Sequence, residues 1–151
     1  MVDGQECKLA VWEWGKVEPS EVEVPVKLLL VEDLPQLQAV VLDLLATVGD
    51  FELVKAVATE AEANLWLEEN QGKWDLAVID LILEQGTGLG VISKARHRAD
   101  GSKVVVFSDY ATEGIRKHCV RLGADAAFQK GDDLQAFLDF CGALAQRDAS
   151  A

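Results

Sequence analysis

Several residue types that build metal and redox centres are scarce in this chain of 151 residues. It has two histidines, three cysteines, one methionine and one tyrosine. His97 and His118 stand alone, and Cys7, Cys119 and Cys141 are an odd, widely spaced set. Neither a Cys/His metal cluster nor a disulfide framework is expected. The cysteines read as free thiols in a reducing cytosol. Positive charge is also scarce: 14 basic residues face 26 acidic ones, for a net charge of −12. That argues against the broad basic face a phosphate backbone requires, and against an anionic membrane surface. No apolar run approaches the ~20 residues of a membrane span, and the start of the chain lacks a signal-peptide pattern. A cytoplasmic protein is expected, without nucleic-acid or membrane partners.

What is present suits one globular domain with a little left over: half the residues are hydrophobic and 26% are charged. The chain divides near Pro25. Residues 1–25 form an acidic arm carrying Trp12 and Trp14. Up to Val26 there are six acids and two bases (net −4), which leaves 20 acids and 12 bases (net −8) for the remainder. Alternation around Gly15 and Pro19-Ser20 permits a hairpin in the arm, with both tryptophans on one face for docking on a surface or a second protomer. The competing reading is a solvated acidic extension.

From Val26 a strand–helix alternation begins. Lys27–Val31 is an apolar run typical of a strand buried on both faces. A helix follows, opened by Pro35, with Leu37, Val40, Val41, Leu44, Leu45 and Val48 on one face. The remaining strands are predicted at Phe51–Val57, Leu76–Ile79, Val104–Phe107 and Ala126–Gln129. The remaining helices are predicted at Thr59–Asn70, Leu89–Ala99 and Thr112–Leu122, with a last helix capped by Asp132 or Asp133. Thr59 and Thr112 read as N-caps and Gly123 as a C-terminal stop. Leu134, Phe137, Leu138, Cys141 and Leu144 should face inward on the last helix. The domain spans residues 26–145, and residues 146–151 read as a short polar tail. Five such units imply an α/β fold, a doubly wound five-stranded parallel sheet with helices on both faces.

In such a sheet the ligand site lies beyond the carboxyl ends of the strands. Those ends carry Glu32-Asp33, Asp80, Ser108-Asp109 and Lys130. Each alone has an ordinary explanation: a solvated loop, a turn or cap residue, an ST-turn, surface charge. Together they form one constellation. Clustered carboxylates repel, and a hard cation such as Mg²⁺ relieves that repulsion through oxygen ligands. A carboxylate left partly free can act as a nucleophile toward phosphorus, with the lysine and hydroxyl as donors to phosphoryl oxygens. The set is coherent for phosphoryl transfer to aspartate.

At these residues the chain resembles the receiver domain of two-component response regulators. The similar segments are Leu28–Asp33, Asp75–Leu81 with Gly86–Leu89, Val104–Ser108 and Gly123–Lys130. The resemblance implies a flavodoxin-like (βα)5 receiver fold in which Asp80 accepts a phosphoryl group from a histidine kinase or histidine phosphotransfer protein. It implies Mg²⁺ bound by Asp33, Asp80, the Ile82 carbonyl and Glu32, the last directly or through water. It further implies that Lys130 pairs with the phosphoryl oxygens and that Ser108 moves toward them. Such a module promotes its own phosphorylation and dephosphorylation without being a turnover enzyme, and it signals to a downstream protein target. The few residues after the last helix leave no room for an effector, so a stand-alone receiver is expected. The arm leaves a homodimer open.

The chain also departs from the family pattern. Gly131 stands where proline is usual, so no cis Lys–Pro bond can form. Ala127 takes the place of a switching aromatic, with Phe128 expected on the opposite face. Asp109 adds a fourth acid that would oppose a phosphoryl group unless it turns outward, and Glu84 replaces a proline. Ile82 and Tyr110, at positions that modulate phosphoryl lifetime in the family, are expected to shield the site from water and slow hydrolysis. The departures at Gly131, Ala127 and Asp109 motivate an alternative, a receiver-like scaffold acting without phosphorylation. Two further readings fit less well. A haloacid-dehalogenase-type phosphohydrolase wants an acid where Ile82 stands. A flavodoxin-like cofactor binder wants a Ser/Thr/Gly loop where Glu32–Pro35 stands.

Overall fold

The computed structural model describes residues 24–150. Cys7, Trp12, Trp14 and the proposed hairpin lie outside the described residues. Ten elements alternate along the chain: β1 (Val26–Val31), α1 (Pro35–Ala46), β2 (Phe51–Val57), α2 (Glu60–Glu69), β3 (Leu76–Ile79), α3 (Gly88–Ala95), β4 (Lys103–Ser108), α4 (Glu113–Leu122), β5 (Ala126–Gln129) and α5 (Leu134–Ser150). The strands form one parallel sheet in the order β2-β1-β3-β4-β5. This is the doubly wound α/β architecture expected from the alternation.

Apart from Lys27 and Lys103 near their starts and Ser108 at the end of β4, the central strands are apolar because side chains leave the sheet alternately on two covered faces. Leu29, Val31, Ala77, Ile79, Val104 and Val106 pack with Ala63, Leu67, Val91, Ile92 and Cys119 from α2, α3 and α4. Leu28, Leu30, Leu76, Val78, Val105 and Phe107 pack with Val41, Leu45, Phe137, Cys141 and Leu144 from α1 and α5. Phe107 and Phe137 stack with ring centroids 4.0 Å apart. Cys119 and Cys141 are free thiols inside these two layers, and burial pushes the Cys141 thiol up to about 12.

Pro35 opens α1 as expected. Thr59 caps α2, its hydroxyl accepting the Glu62 N–H at 3.2 Å while Glu62 Oε1 accepts the Ala58 N–H at 3.2 Å. Gly123 stops α4 at φ +128°, its N–H reaching Cys119 O and Val120 O.

Other details differ from the sequence reading. Thr112 holds the N-cap position of α4, but its hydroxyl makes no cap bond. Asp133 directs its carboxylate to the Gln129 N–H (2.9 Å) and Arg116 (2.6 Å), while its backbone carbonyl accepts the Phe137 N–H. Val40 (49% exposed) and Leu134 (37%) face outward, whereas Val41, Leu45, Phe137, Cys141 and Leu144 are buried. Helix α3 stops at Ala95, four residues before the predicted Ala99. Arg98 ends it: the guanidinium donates to Ala95 O, Ser102 O and Gly123 O, each at 3.0 Å, and pairs with Asp125 at 2.8 Å. No helix among the described residues is long and apolar enough to cross a membrane.

Candidate functional site

Register places the acidic residues side by side. Val31 pairs with Ile79 across β1 and β3, so the next residues, Glu32 and Asp80, emerge together at the carboxyl edge. The Asp80 N–H continues the ladder by donating to Val31 O at 2.9 Å. On the other side Ser108 pairs with Gln129 across β4 and β5, and the Lys130 N–H donates to Ser108 O at 3.2 Å. Lys130 thus starts two strands away from Asp80, and its long side chain crosses β4 to reach it.

The ammonium of Lys130 bridges the two carboxylates, 3.0 Å from Glu32 Oε1 and 3.1 Å from Asp80 Oδ2. All three side chains are withdrawn from water, at 3% exposure for Glu32, 11% for Asp80 and 15% for Lys130. Burial raises the Glu32 carboxyl above its ordinary value and the Asp80 charge adds to the rise, while Lys130 opposes it. Burial alone would lower the Lys130 pKa; the hydrogen bond to Glu32 and the Asp80 charge more than reverse that, and the result is a raised value. One cation is shared between two buried carboxylates, so the cluster keeps a surplus negative charge when both are ionised.

The neighbouring backbone is fixed around this cluster. Glu32 Oε2 accepts the Leu34 N–H at 3.3 Å, and Gln38 Nε2 donates to Glu32 O at 2.7 Å. The Ile82 N–H donates to Asp80 Oδ1 at 3.3 Å. A Cβ on Gly88 would lie 2.2 Å from Asp80 O, so only glycine lets α3 begin so close to this carbonyl. Ser108 is fully buried, and its Oγ accepts the Tyr110 N–H at 3.2 Å.

Of the residues expected at the site, the fold joins Glu32, Asp80 and Lys130 directly, with Ile82 bonded to Asp80 through its backbone. Ser108 sits at the end of the adjacent strand. Asp33 follows Glu32 and is partly exposed. Among the described residues no three His, Cys, Asp or Glu side chains converge as a ready-made metal cage; Glu32 is turned toward Lys130 instead.

The departures resolve individually. There is no cis peptide among the described residues. Asp109 is exposed, with its carbonyl accepting from Gln129 Nε2 at 3.3 Å. Ala127 packs on the α2–α4 side, and Phe128 packs on the opposite face, 6.1 Å from Phe137 between ring centroids. Ile82 is 51% and Tyr110 59% exposed, and both line an apolar groove of about 330 Å³ with Leu81, Leu89 and Ile115.

Three supporting residues escaped the sequence reading. Gln38 lies in the first turns of α1, six residues after Glu32. Arg98 acts across 25 to 27 residues of chain. Glu60 reaches the loop after Asp80, where its Oε1 accepts the Thr87 N–H at 2.9 Å; the signal for it was the glycine pair Gly86 and Gly90, which leaves room for a neighbouring side chain.

The described fold recurs among solved structures. The Aurantimonas two-component response regulator of the LuxR family has a TM-score of 0.70 at 18% identity, with 82% of this chain and 87% of that one covered. The receiver domain of the sensor histidine kinase PA1611 from Pseudomonas aeruginosa, with magnesium coordinated in its active-site cleft, has a TM-score of 0.62 at 21% identity, with 85% and 100% covered. In sequence, the chain is 38% identical over 71 residues to the acid tolerance regulatory protein ActR of Rhizobium meliloti. That match covers 47% of this chain and 35% of the relative, so the chain spans about a third of that protein's length. The family model for the response regulator receiver domain matches residues 28–140, the stretch that supplies most of β1, the other four strands and every residue of the buried acid–lysine cluster: the chain belongs to the response-regulator receiver family.

Proposed function

We propose that Asp80 is the phosphoryl acceptor of this receiver, taking the group from a phosphohistidine on a kinase or phosphotransfer protein. The observation that carries the reading is the buried Glu32–Lys130–Asp80 array at the sheet edge. An oxygen of Asp80 forms the new O–P bond as the N–P bond of the donor breaks, and the bonding pair leaves with the imidazole nitrogen. Lys130 holds Asp80 in place before transfer and then turns its charge to the phosphoryl oxygens. The Ser108 hydroxyl, now an acceptor for Tyr110, becomes a donor to the phosphoryl group by a short movement of the loop after β4.

The donor set fits a hard divalent cation. Two buried carboxylates share one ammonium, and Asp33 and the Ile82 carbonyl lie next to them in sequence. Glu32, Asp33, Asp80 and the Ile82 carbonyl would hold Mg²⁺, with Glu32 acting directly or through water. When bound, Mg²⁺ supplies neutralisation of the negative charge that the carboxylates and phosphoryl oxygens bring together. The exposed faces of Ile82 and Tyr110 flank the acceptor and limit the approach of water. The output is a contact with a downstream protein.

The test is intact mass after incubation with Mg²⁺ and acetyl phosphate or phosphoramidate, followed by a phosphohistidine donor. A single phosphoryl adduct is expected, absent from Asp80→Asn and lost on chelation. An adduct that persists in Asp80→Asn, or no adduct with any of these donors, refutes the assignment.

A further inference from the structure

The loop after Asp80 is held at its far end by a side chain from a different strand–helix unit. Glu60 opens α2, and its backbone N–H donates to Gln85 O at 3.0 Å. Its carboxylate Oε1 accepts the Thr87 N–H at 2.9 Å, so one residue grips both sides of the turn at Gly86. Room for that carboxylate depends on missing side chains. A Cβ on Gly86 would lie 2.5 Å from Glu60 Cβ, and one on Gly90 would lie 1.9 Å from Glu60 Oε2. Thr87 is the N-cap of α3, yet its own side chain makes no cap bond. Glu60 supplies the acceptor and the negative charge that this helix start favours.

From Thr87 the loop folds back on Asp80. Ile82 and Thr87 form an antiparallel bridge. The Gly88 N–H donates to Leu81 O at 2.9 Å, and the Ile82 N–H donates to Asp80 Oδ1 at 3.3 Å. An unbroken chain of bonds therefore links the Glu60 carboxylate to the acceptor aspartate.

We propose that Glu60 is a positioning residue for the cation site: by fixing Thr87, it sets where the Ile82 carbonyl lies beside Asp80. The inference rests on the Mg²⁺ reading above. Mg²⁺ demands near-octahedral geometry, so a carbonyl ligand on an untethered loop would have to be ordered at the expense of binding. Glu60 orders it beforehand. It touches neither the cation nor the acceptor, and it acts through Thr87 and Ile82.

The test is Mg²⁺ titration of the full chain by calorimetry at constant ionic strength, with amide hydrogen exchange recorded without Mg²⁺. Glu60→Ala is expected to weaken Mg²⁺ binding about tenfold, as loss of a supporting partner typically does, and to speed exchange at Ile82, Thr87 and Gly88. Glu60→Gln keeps an acceptor for Thr87 and recovers most of both. Gly90→Ala displaces the carboxylate, reproduces Glu60→Ala and adds nothing to it in the double variant. Unchanged Mg²⁺ affinity in Glu60→Ala, losses that add in the double variant, or no rescue by glutamine overturns the proposal. If the wild-type chain shows no saturable Mg²⁺ binding, the reading of the site falls and this proposal with it. Wild-type binding with an indifferent Glu60→Ala overturns this proposal alone.

Discussion

Lys130→Met isolates the electrostatics of the site from its phosphoryl chemistry. Methionine keeps an unbranched apolar stem but removes the ammonium that lies 3.0 Å from Glu32 and 3.1 Å from Asp80. The carboxylates left behind are 3% and 11% exposed, so water screens them poorly. Removing one partner of a buried pair costs about 3–5 kcal/mol, and the upper half of that range is expected at pH 8 because two acids lose one cation. Protonation is the escape route. Burial and Asp80 already raise the Glu32 carboxyl, and loss of Lys130 removes what opposed that rise. The folded variant therefore takes up a proton at higher pH than its unfolded chain does. Stability relative to wild type must rise as pH falls toward the unfolded carboxyl value, by up to about 1.4 kcal/mol per pH unit for each proton bound. Urea unfolding in EDTA at pH 8 and pH 5, followed by tryptophan fluorescence, measures both numbers. A deficit under about 1 kcal/mol at pH 8, or one of equal size at the two pH values, would show that Lys130 does not neutralise this cluster.

The opposite end of the pH scale tests the α1–α5 layer. Cys141 is fully buried with its thiol at about 12, against an ordinary 9.0. The folded state keeps that proton longer, so stability should fall as pH rises from about 9 to 12, by a total of order 4 kcal/mol. Cys141→Ala should flatten that slope, and an unchanged slope counts against the assignment. Arg98→Ala leaves the carbonyls of Ala95, Ser102 and Gly123 without this donor and should cost about 2–3 kcal/mol in urea unfolding; a loss under ~0.5 kcal/mol would mean that water replaces the guanidinium freely. Phe137→Ala removes a fully buried ring stacked on Phe107 and should cost about 3–5 kcal/mol. Ile82→Asn should shorten the lifetime of phosphorylated protein, measured by decay of the mass adduct, and an equal or longer lifetime refutes the shielding role of Ile82.

Each strand and helix among the described residues was legible in the sequence because each is coded locally, although α5 runs on to Ser150 through residues read as a polar tail. The apolar runs 28–31, 76–79 and 104–107 have the length and composition of strands covered on both sides, and Pro35 with the threonines and glycines between them marks starts and stops. The acid–lysine cluster was legible too, although Lys130 and Glu32 are 98 residues apart. A parallel sheet brings all carboxyl ends to one edge, so the residues that follow the strands there become neighbours without any knowledge of the contacts between them. What stayed hidden depends on side chains meeting across units. The end of α3 is set by Arg98 bonding to Gly123 and Asp125, and no periodicity in 89–99 contains that fact. Val40 falls at the margin of the covered stripe of α1, and Leu134 is the first residue of α5, at the helix end, so helical spacing alone buries neither.

Glu60 shows the same divide in the loop after Asp80. Read locally, it is one more acid in the first turn of a capped helix, placed there by the helix dipole. Its second role exists only because Gly86 and Gly90, on a different unit, vacate the volume its carboxylate fills. Gly86 also sits at φ +79°, which favours glycine for the turn itself, but Gly90 has no positive φ to explain it. The explanation lies in the partner. The spacing of small residues on one element is therefore evidence about the side chain that approaches from another, and here it leads from a helix cap to the loop beside Asp80, the proposed acceptor.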